Sequence, residues 1–235
     1  MSTIIAEERR ERRVQCPERR SASSALDTGH STLDSVPFPH RVIDDWAEPE
    51  LIRAAEAEWP DDRWPFWHRY DNGKLATKDP LRFPPACAEL VKRLLCLPIA
   101  DLLGVTGTFG DWNCHGGGLH ALPPGGNLGL HLDSDHHPLT GWRRAANAVL
   151  YLNERWEPDW GGELELYDAC GDRCVKRIAP RAGRMALFVP GDAAWHAVAP
   201  VSPAAQTRKT LAVFFWTQAQ TDADRTSRPR AQFVR

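Results

Sequence analysis

From Gly104 onward the chain breaks into short apolar segments separated by Gly, Pro, Asn and Asp, and this punctuation constrains the fold more than any other feature. Segments near 106–112, 117–122, 127–133, 146–153, 162–168, 174–179, 184–189, 194–199 and 208–217 are long enough for strands and too short for packed helices. Within 146–153 the residues alternate. Ala146, Ala148, Leu150 and Leu152 share one face of a strand, and Asn147, Val149, Tyr151 and Asn153 share the other. Many short strands at fairly even spacing predict an all-β sandwich or barrel. Helical spacing is confined to what precedes them. Leu51, Ile52, Ala55 and Trp59 mark a helix over Glu48–Trp59, with Pro49 in its first turn. A second pattern runs from about Pro85 to Leu103 through Leu90, Val91, Leu94 and Leu95, and Pro98 should divide it in two. These helices are expected to pack on one sheet from outside.

Three segments are expected: a disordered leader over 1–35, one domain over 36–218 with its β-core at about 105–218, and a C-terminal tail over 219–235. The leader is rich in Arg, Glu, Ser and Thr and has few large apolar residues to bury. Its run Arg9-Arg10-Glu11-Arg12-Arg13 is interleaved with Glu, so it reads as solvated rather than as an acidic-partner site. With 235 residues, of which 42% are hydrophobic, the chain can bury one sizeable core. A net charge of −2 offers no general attraction to nucleic acid or to an anionic membrane. No apolar run approaches the ~18 residues of a membrane span, and Met1 to Arg20 contains no signal-peptide core. The expected location is cytoplasmic. The six cysteines, Cys16, Cys87, Cys96, Cys114, Cys170 and Cys174, are accordingly expected to be reduced thiols. Cys170 and Cys174 lack a second Cys or His pair at zinc-site distance and read as flanks of a hairpin tip.

The chemistry centres on Asn127-Leu128-Gly129-Leu130-His131-Leu132-Asp133. On a strand, His131 and Asp133 would emerge on the same face. His196, in Pro190-Gly191-Asp192-Ala193-Ala194-Trp195-His196, would complete a set of two His and one carboxylate. That facial set leaves open positions on an octahedral metal and is the arrangement of non-haem Fe(II) oxygenases. An isolated His-x-Asp pair is more often two solvated loop residues, so the surroundings matter. A metal pair inside a many-stranded β protein points to a double-stranded β-helix (jelly roll, cupin-like). Arg208 opens the apolar strand Arg208-Lys209-Thr210-Leu211-Ala212-Val213-Phe214-Phe215-Trp216, where a buried cation needs a partner. A dicarboxylate such as 2-oxoglutarate could chelate iron at one end and meet Arg208 by a two-pronged hydrogen bond at the other. The plain alternative for Arg208 is a surface cation at a strand end.

Further landmarks follow the same order: Gly116-Gly117-Gly118-Leu119-His120, Leu150-Tyr151-Leu152-Asn153-Glu154-Arg155-Trp156, Trp160-Gly161-Gly162-Glu163-Leu164-Glu165-Leu166, and Arg208-Lys209-Thr210. With these the chain resembles the prolyl-4-hydroxylase-like branch of the 2-oxoglutarate/Fe(II) dioxygenases, most densely over Gly116–Thr217. The resemblance implies a jelly roll with iron held by His131, Asp133 and His196. It implies that Arg208 grips the distal carboxylate of 2-oxoglutarate, with Tyr151 and Thr210 also at the cosubstrate. Many relatives have Lys where this chain has Arg208, and some have Ser where it has Thr210. The implied cofactors are Fe(II), 2-oxoglutarate and O2, with ascorbate as a reductant. The implied reaction is hydroxylation of an unactivated C–H bond of a small polar molecule (an amino acid, sugar or peptide natural product), with release of succinate and CO2. The carboxylate ligand Asp133 favours this over halogenation. A peptidyl or prolyl-type protein hydroxylase is the alternative. From another class, a non-catalytic metal-binding jelly roll or a cupin-like isomerase is a further alternative. Cupins use other ligand spacings and do not need Arg208.

The candidate substrate residues are Trp67, Arg69, His120 and His136. Trp67 and Arg69 lie in Trp59–Lys74, a stretch dense in aromatic groups with neither helix nor strand period. It reads either as a lid over the iron's open face or as a loop packed permanently on the barrel. His120 is expected to line the pocket or to pack, and His136 and His137 to sit at its rim. Gly161-Gly162 reads as a turn before a strand, and Trp156 and Trp160 as packing for that hairpin.

Overall fold

Proline sets the start of both longer helices. Pro49 opens α1 (Pro49–Ala57), which buries Ile52 and Ala55, and Pro85 opens α2 (Pro85–Leu95), which buries Cys87, Leu90, Val91 and Leu94. After Pro98 a short α3 (Ile99–Leu103) ends on Gly104 in the left-handed region (φ 72°), so the expected division at Pro98 is present. The backbone N–H of Ala86, at the start of α2, donates to Glu58 Oε2 at 2.8 Å and ties the two helices together. The computed structural model describes residues 32–77, 79–218, 228 and 230–234. The expected leader lies, up to residue 31, outside the described residues. Asp34 already belongs to the fold, bridging to His40 and pairing with Lys176.

The strands are β1 (His40–Ile43), β2 (His68–Arg69), β3 (Leu75–Thr77), β4 (Phe109–Gly110), β5 (Gly118–Leu122), β6 (Leu128–Leu132), β7 (Arg143–Tyr151), β8 (Leu164–Tyr167), β9 (Cys174–Ile178), β10 (Met185–Phe188), β11 (His196–Val198), β12 (Arg208–Thr217) and β13 (Gln232–Phe233). They form two antiparallel sheets. The larger runs β1-β10-β7-β12-β5-β3-β2, with β4 also on β12, and the smaller runs β13-β6-β11-β8-β9. All nine strands expected after Gly104 are present, and the architecture is the jelly roll. The stretch expected to be a C-terminal tail contributes a strand, since Phe233 pairs in register with His131.

Alternation decides what each face of the large sheet meets. Ala146, Ala148, Leu150, Leu211, Val213 and Phe215 face the helices and join Leu90 and Leu94 in one core. Ala186, Phe188 and Tyr151 face the smaller sheet and meet Leu164, Leu166 and Ile178 in a second core. A third cluster, Leu122, Val198 and Val201, closes the opposite side of the space between the sheets. That space is left partly open, and the site lies in it. No helix among the described residues is long and apolar enough to cross a membrane. Cys87, Cys96, Cys114 and Cys174 are free thiols. Cys170 is disulfide-bonded, which corrects the expectation of thiols throughout. It sits half-buried at the tip of the β8–β9 hairpin.

Candidate active site

Sheet pairing brings the three expected metal ligands together. His196 on β11 lies directly opposite His131 on β6, and their rings are 4.2 Å apart. Asp133, just past the end of β6, presents Oδ1 to His131 Nε2 and Oδ2 to His196 Nε2, each at 3.6 Å. The ligand atoms of the three residues all lie within 4.8 Å of one another. Both imidazoles are oriented from behind: Nδ1 of His131 donates to Gly129 O at 2.8 Å and Nδ1 of His196 donates to Ala194 O at 2.9 Å. A neutral imidazole that donates from Nδ1 has its lone pair on Nε2, aimed at the shared point. Burial pushes the His196 pKa down to about 4, which keeps that lone pair free.

Asp133 is held just as deliberately. Asn147 on β7 donates from Nδ2 to its Oδ2 at 2.7 Å, and Arg144 stands 3.6 Å from its Oδ1. Arg144 is itself fixed by Asn147 Oδ1 at 2.8 Å and lies over the Phe214 ring, 3.5 Å from its centroid. Burial works against ionisation of Asp133, yet the charge of Arg144 opposes it and the carboxyl lies well below its usual range. Arg228 donates from Nε to the Asp133 carbonyl and reaches Asp192 at 2.8 Å. Phe233 stacks on His131 at 4.9 Å. Sequence reasoning missed Asn147, Arg144, Arg228 and Phe233 as site residues.

The cavity beside this cluster has a volume of about 590 Å³ and is lined by His131, Asp133, His196, Tyr151, Arg208 and Thr210 among others. That is room for two small organic molecules. On its wall Arg208 is buried, at 4% exposure, and makes no ion pair with any described residue. Its Nε donates to Gly162 O at 2.7 Å, and its guanidinium lies 5.0 Å from the centre of the Tyr151 ring. Gly162 is in the left-handed region (φ 73°), and a Cβ there would meet Arg208 Cδ at 3.0 Å, so glycine makes room for the arginine. The Tyr151 hydroxyl is fully buried without a hydrogen-bond partner. A buried cation beside an unsatisfied buried phenol is costly unless an anion completes both. Thr210 adds a hydroxyl that donates to His120 O at 3.3 Å.

The expected substrate residues divide. His120 lines the cavity, its Nε2 donating to Gly116 O at 3.1 Å, and burial with the nearby Lys74 charge keeps it neutral. His136 does not line the cavity; it is buried and paired with Asp135 at 2.7 Å. Trp67 sits in the core at 8% exposure, its Nε1 donating to Asp61 O at 2.8 Å and its ring against Trp59 and Trp64. Arg69 is exposed, bonds Asp62 O and lies outside the lining. Within 59–67 the three indoles pack on one another, with Trp67 at the centre of the group. What the stretch brings to the cavity is its far end, Tyr70, Asp71, Asn72 and Lys74, at the β2–β3 turn.

Residues 117–216 match the family model described as the 2OG-Fe(II) oxygenase superfamily. These residues form a 2OG-Fe(II) oxygenase domain. Among solved structures, this oxygenase is similar to a Pseudomonas putida prolyl-4-hydroxylase at 25% identity, covering 77% of this chain and 93% of that one with a TM-score of 0.58. Two others share the fold. One is a Trichoplax adhaerens prolyl hydroxylase in complex with a hypoxia inducible factor peptide fragment (17% identity, 80% and 87% coverage, TM-score 0.56). The other is a Phytophthora capsici prolyl 4-hydroxylase (21% identity, 79% and 64% coverage, TM-score 0.53). The branch is the prolyl-4-hydroxylase-like one. Among curated proteins there is no match. As a 2-oxoglutarate/Fe(II) oxygenase it uses Fe(II), 2-oxoglutarate and O2, and the donor set of two imidazoles and one carboxylate fits Fe(II).

Proposed function

We propose that this oxygenase hydroxylates an amino-acid-derived substrate, with a prolyl compound the first to test. In this reading His131, Asp133 and His196 hold the iron, and Arg208, Tyr151 and Thr210 hold 2-oxoglutarate. The observation that carries it is one cavity with two kinds of unmet demand. At one end three donor atoms converge on a point. On the wall a buried arginine has no carboxylate partner and a buried phenol no hydrogen bond. Similarity to the Pseudomonas prolyl-4-hydroxylase supports an amino-acid or peptidyl substrate over a sugar.

When bound, iron and 2-oxoglutarate supply the oxidising power for O2-dependent hydroxylation, with succinate and CO2 as co-products. The protein's own residues position and shield. Gly129 O and Ala194 O fix the two imidazoles, Asn147 and Arg144 keep Asp133 ionised and aimed, and Gly162 O aligns the Arg208 fork. Tyr151, kept protonated by burial, donates to the carboxylate that Arg208 grips. Phe188 and Val198 on the cavity wall exclude water from the reacting end.

The test is succinate release from 2-oxoglutarate with Fe(II) under air, with and without prolyl peptides and free proline, alongside Fe(II) binding. Parent protein should bind Fe(II) and release succinate, and His131→Ala and His196→Ala should do neither. Parent-like iron binding and turnover in both variants would show that the triad is misassigned.

A further inference from the structure

With iron and 2-oxoglutarate assigned as above, one cation of the cavity is still without a counterpart. Lys74 lies two residues before Ala76, and Ala76 pairs in register with His120, so Lys74 shares the cavity-facing side of the sheet. Its position is fixed by the tight β2–β3 turn. Tyr70 N donates to Lys74 O at 2.9 Å, Gly73 N donates to Tyr70 O at 3.0 Å with Gly73 at φ 82°, and Lys74 N donates to Asn72 Oδ1 at 3.2 Å. The Asn72 side chain then anchors the turn to Asn127 O at 3.0 Å, beside the metal strand.

The half-buried ammonium of Lys74 makes no hydrogen bond or ion pair with any described residue. Its nearest aromatic face is Tyr70, with the ring centre 5.5 Å away. Asp71, in the same turn, does not pair with it. Burial first, and the charges of Arg208 and Arg144 after it, push its pKa down to about 8 against the pull of Asp133, so it remains mainly protonated at neutral pH. Charge bookkeeping points the same way. The carboxylates of Asp133, Asp71 and 2-oxoglutarate together offset the iron and both arginines. The excess positive charge of the cavity is then that of Lys74. A positioned, poorly hydrated cation in a cationic cavity is matched by an anionic substrate.

We propose that Lys74 determines substrate choice by receiving a carboxylate of the substrate. The molecule hydroxylated is then a free amino acid or the C-terminal residue of a peptide, and not a residue within a chain. This rests on the proposed function, and deepens it, by separating terminal from internal prolyl-type substrates.

The experiment measures succinate release by the iron-loaded protein with the coded amino acids and their Nα-acetyl derivatives, each as free carboxylate and as carboxamide. Short proline peptides with free and with amidated ends complete the panel. Free carboxylates should stimulate release at concentrations at least about 10-fold lower than their carboxamides, the ratio expected of one charge-assisted contact. Lys74→Met should reduce that ratio to about 2-fold or less, and Lys74→Arg should retain it. Free amino acids outperforming acetyl derivatives would identify the free molecule as the source of the carboxylate, and the reverse order a peptide end. The inference is overturned if carboxamides or internal prolyl peptides do as well as acids. It is also overturned if no carboxylate stimulates release, or if Lys74→Met leaves the ratio intact and changes only the KM for 2-oxoglutarate. Parent protein that releases no succinate under any condition would remove the proposed function as well, which is a different result from release without carboxylate preference.

Discussion

Replacing Arg208 with alanine isolates the contact proposed to bind the distal carboxylate of 2-oxoglutarate. In the structure Nε is committed to Gly162 O at 2.7 Å, which leaves the terminal nitrogens of the guanidinium for a ligand. A hydrogen bond to a charged group is worth about 1.5–3 kcal/mol net. At ~1.4 kcal/mol per tenfold, Arg208→Ala should raise the Kd of 2-oxoglutarate roughly 10- to 100-fold. Arg208→Lys keeps the charge and loses both the fork and the anchor on Gly162, so its loss should be smaller, up to about tenfold. Arg208→Ala also strips the Gly162 carbonyl of its donor, at a folding cost of ~1–3 kcal/mol. Binding is therefore measured by anaerobic calorimetric titration into iron-loaded protein well below the melting transition, with a thermal melt alongside. Fe(II) affinity should change little, because Arg208 makes no contact with the triad. A 2-oxoglutarate Kd within about 2-fold of parent would refute the assignment. Lys209 cannot then be the substitute, since its Nζ is paired with Glu56 at 3.2 Å on the helix side of the sheet.

Two further outcomes test parts of the site and its surroundings. Asn147→Ala removes the hydrogen bond to Asp133 Oδ2 and should weaken Fe(II) binding roughly 10- to 100-fold, as losses behind a metal ligand do, and unchanged Fe(II) affinity by titration would rule that role out. Trp67→Ala opens the Trp59–Trp64–Trp67 cluster and should cost about 3–5 kcal/mol in denaturant unfolding with substrate KM near parent; normal stability with a raised KM would restore the lid.

The elements legible in the sequence are those whose apolar residues keep a period over several turns or pleats. The Leu90–Leu94 row and the Ala146–Leu152 row are such cases, and the structure puts both on the faces that the spacing dictates. The β2–β3 hairpin was not legible, because strands of two and three residues are too short to show alternation. The tryptophans just before it, Trp59, Trp64 and Trp67, serve a local cluster rather than a sheet face. β13 was not legible either: Gln232–Phe233 is a strand only because β6 offers it an open edge, and that is a tertiary fact.

The site shows the same division more sharply. His131 and Asp133 were legible as a pair because two residues on one strand share a side, and His196 as a candidate third. Which residues stand behind them depends on registers that no single segment encodes. Asn147 carried half a signal: it falls on the inward face with Val149 and Tyr151, and a polar side chain there must find a partner. Arg144 carried none, and the reason is a β-bulge. By strict alternation Arg144 would share the outward face of Ala146. The pairing of β7 with β12 goes from Ala146 opposite Phe215 to Arg144 opposite Trp216, so Ala145 is an extra residue on β7. One inserted residue reverses the side on which everything before it projects. It turns the guanidinium inward, over Phe214 and against Asp133. The residue that holds the Asp133 carboxylate ionised is thus placed by a break in the pattern from which the strand itself was read.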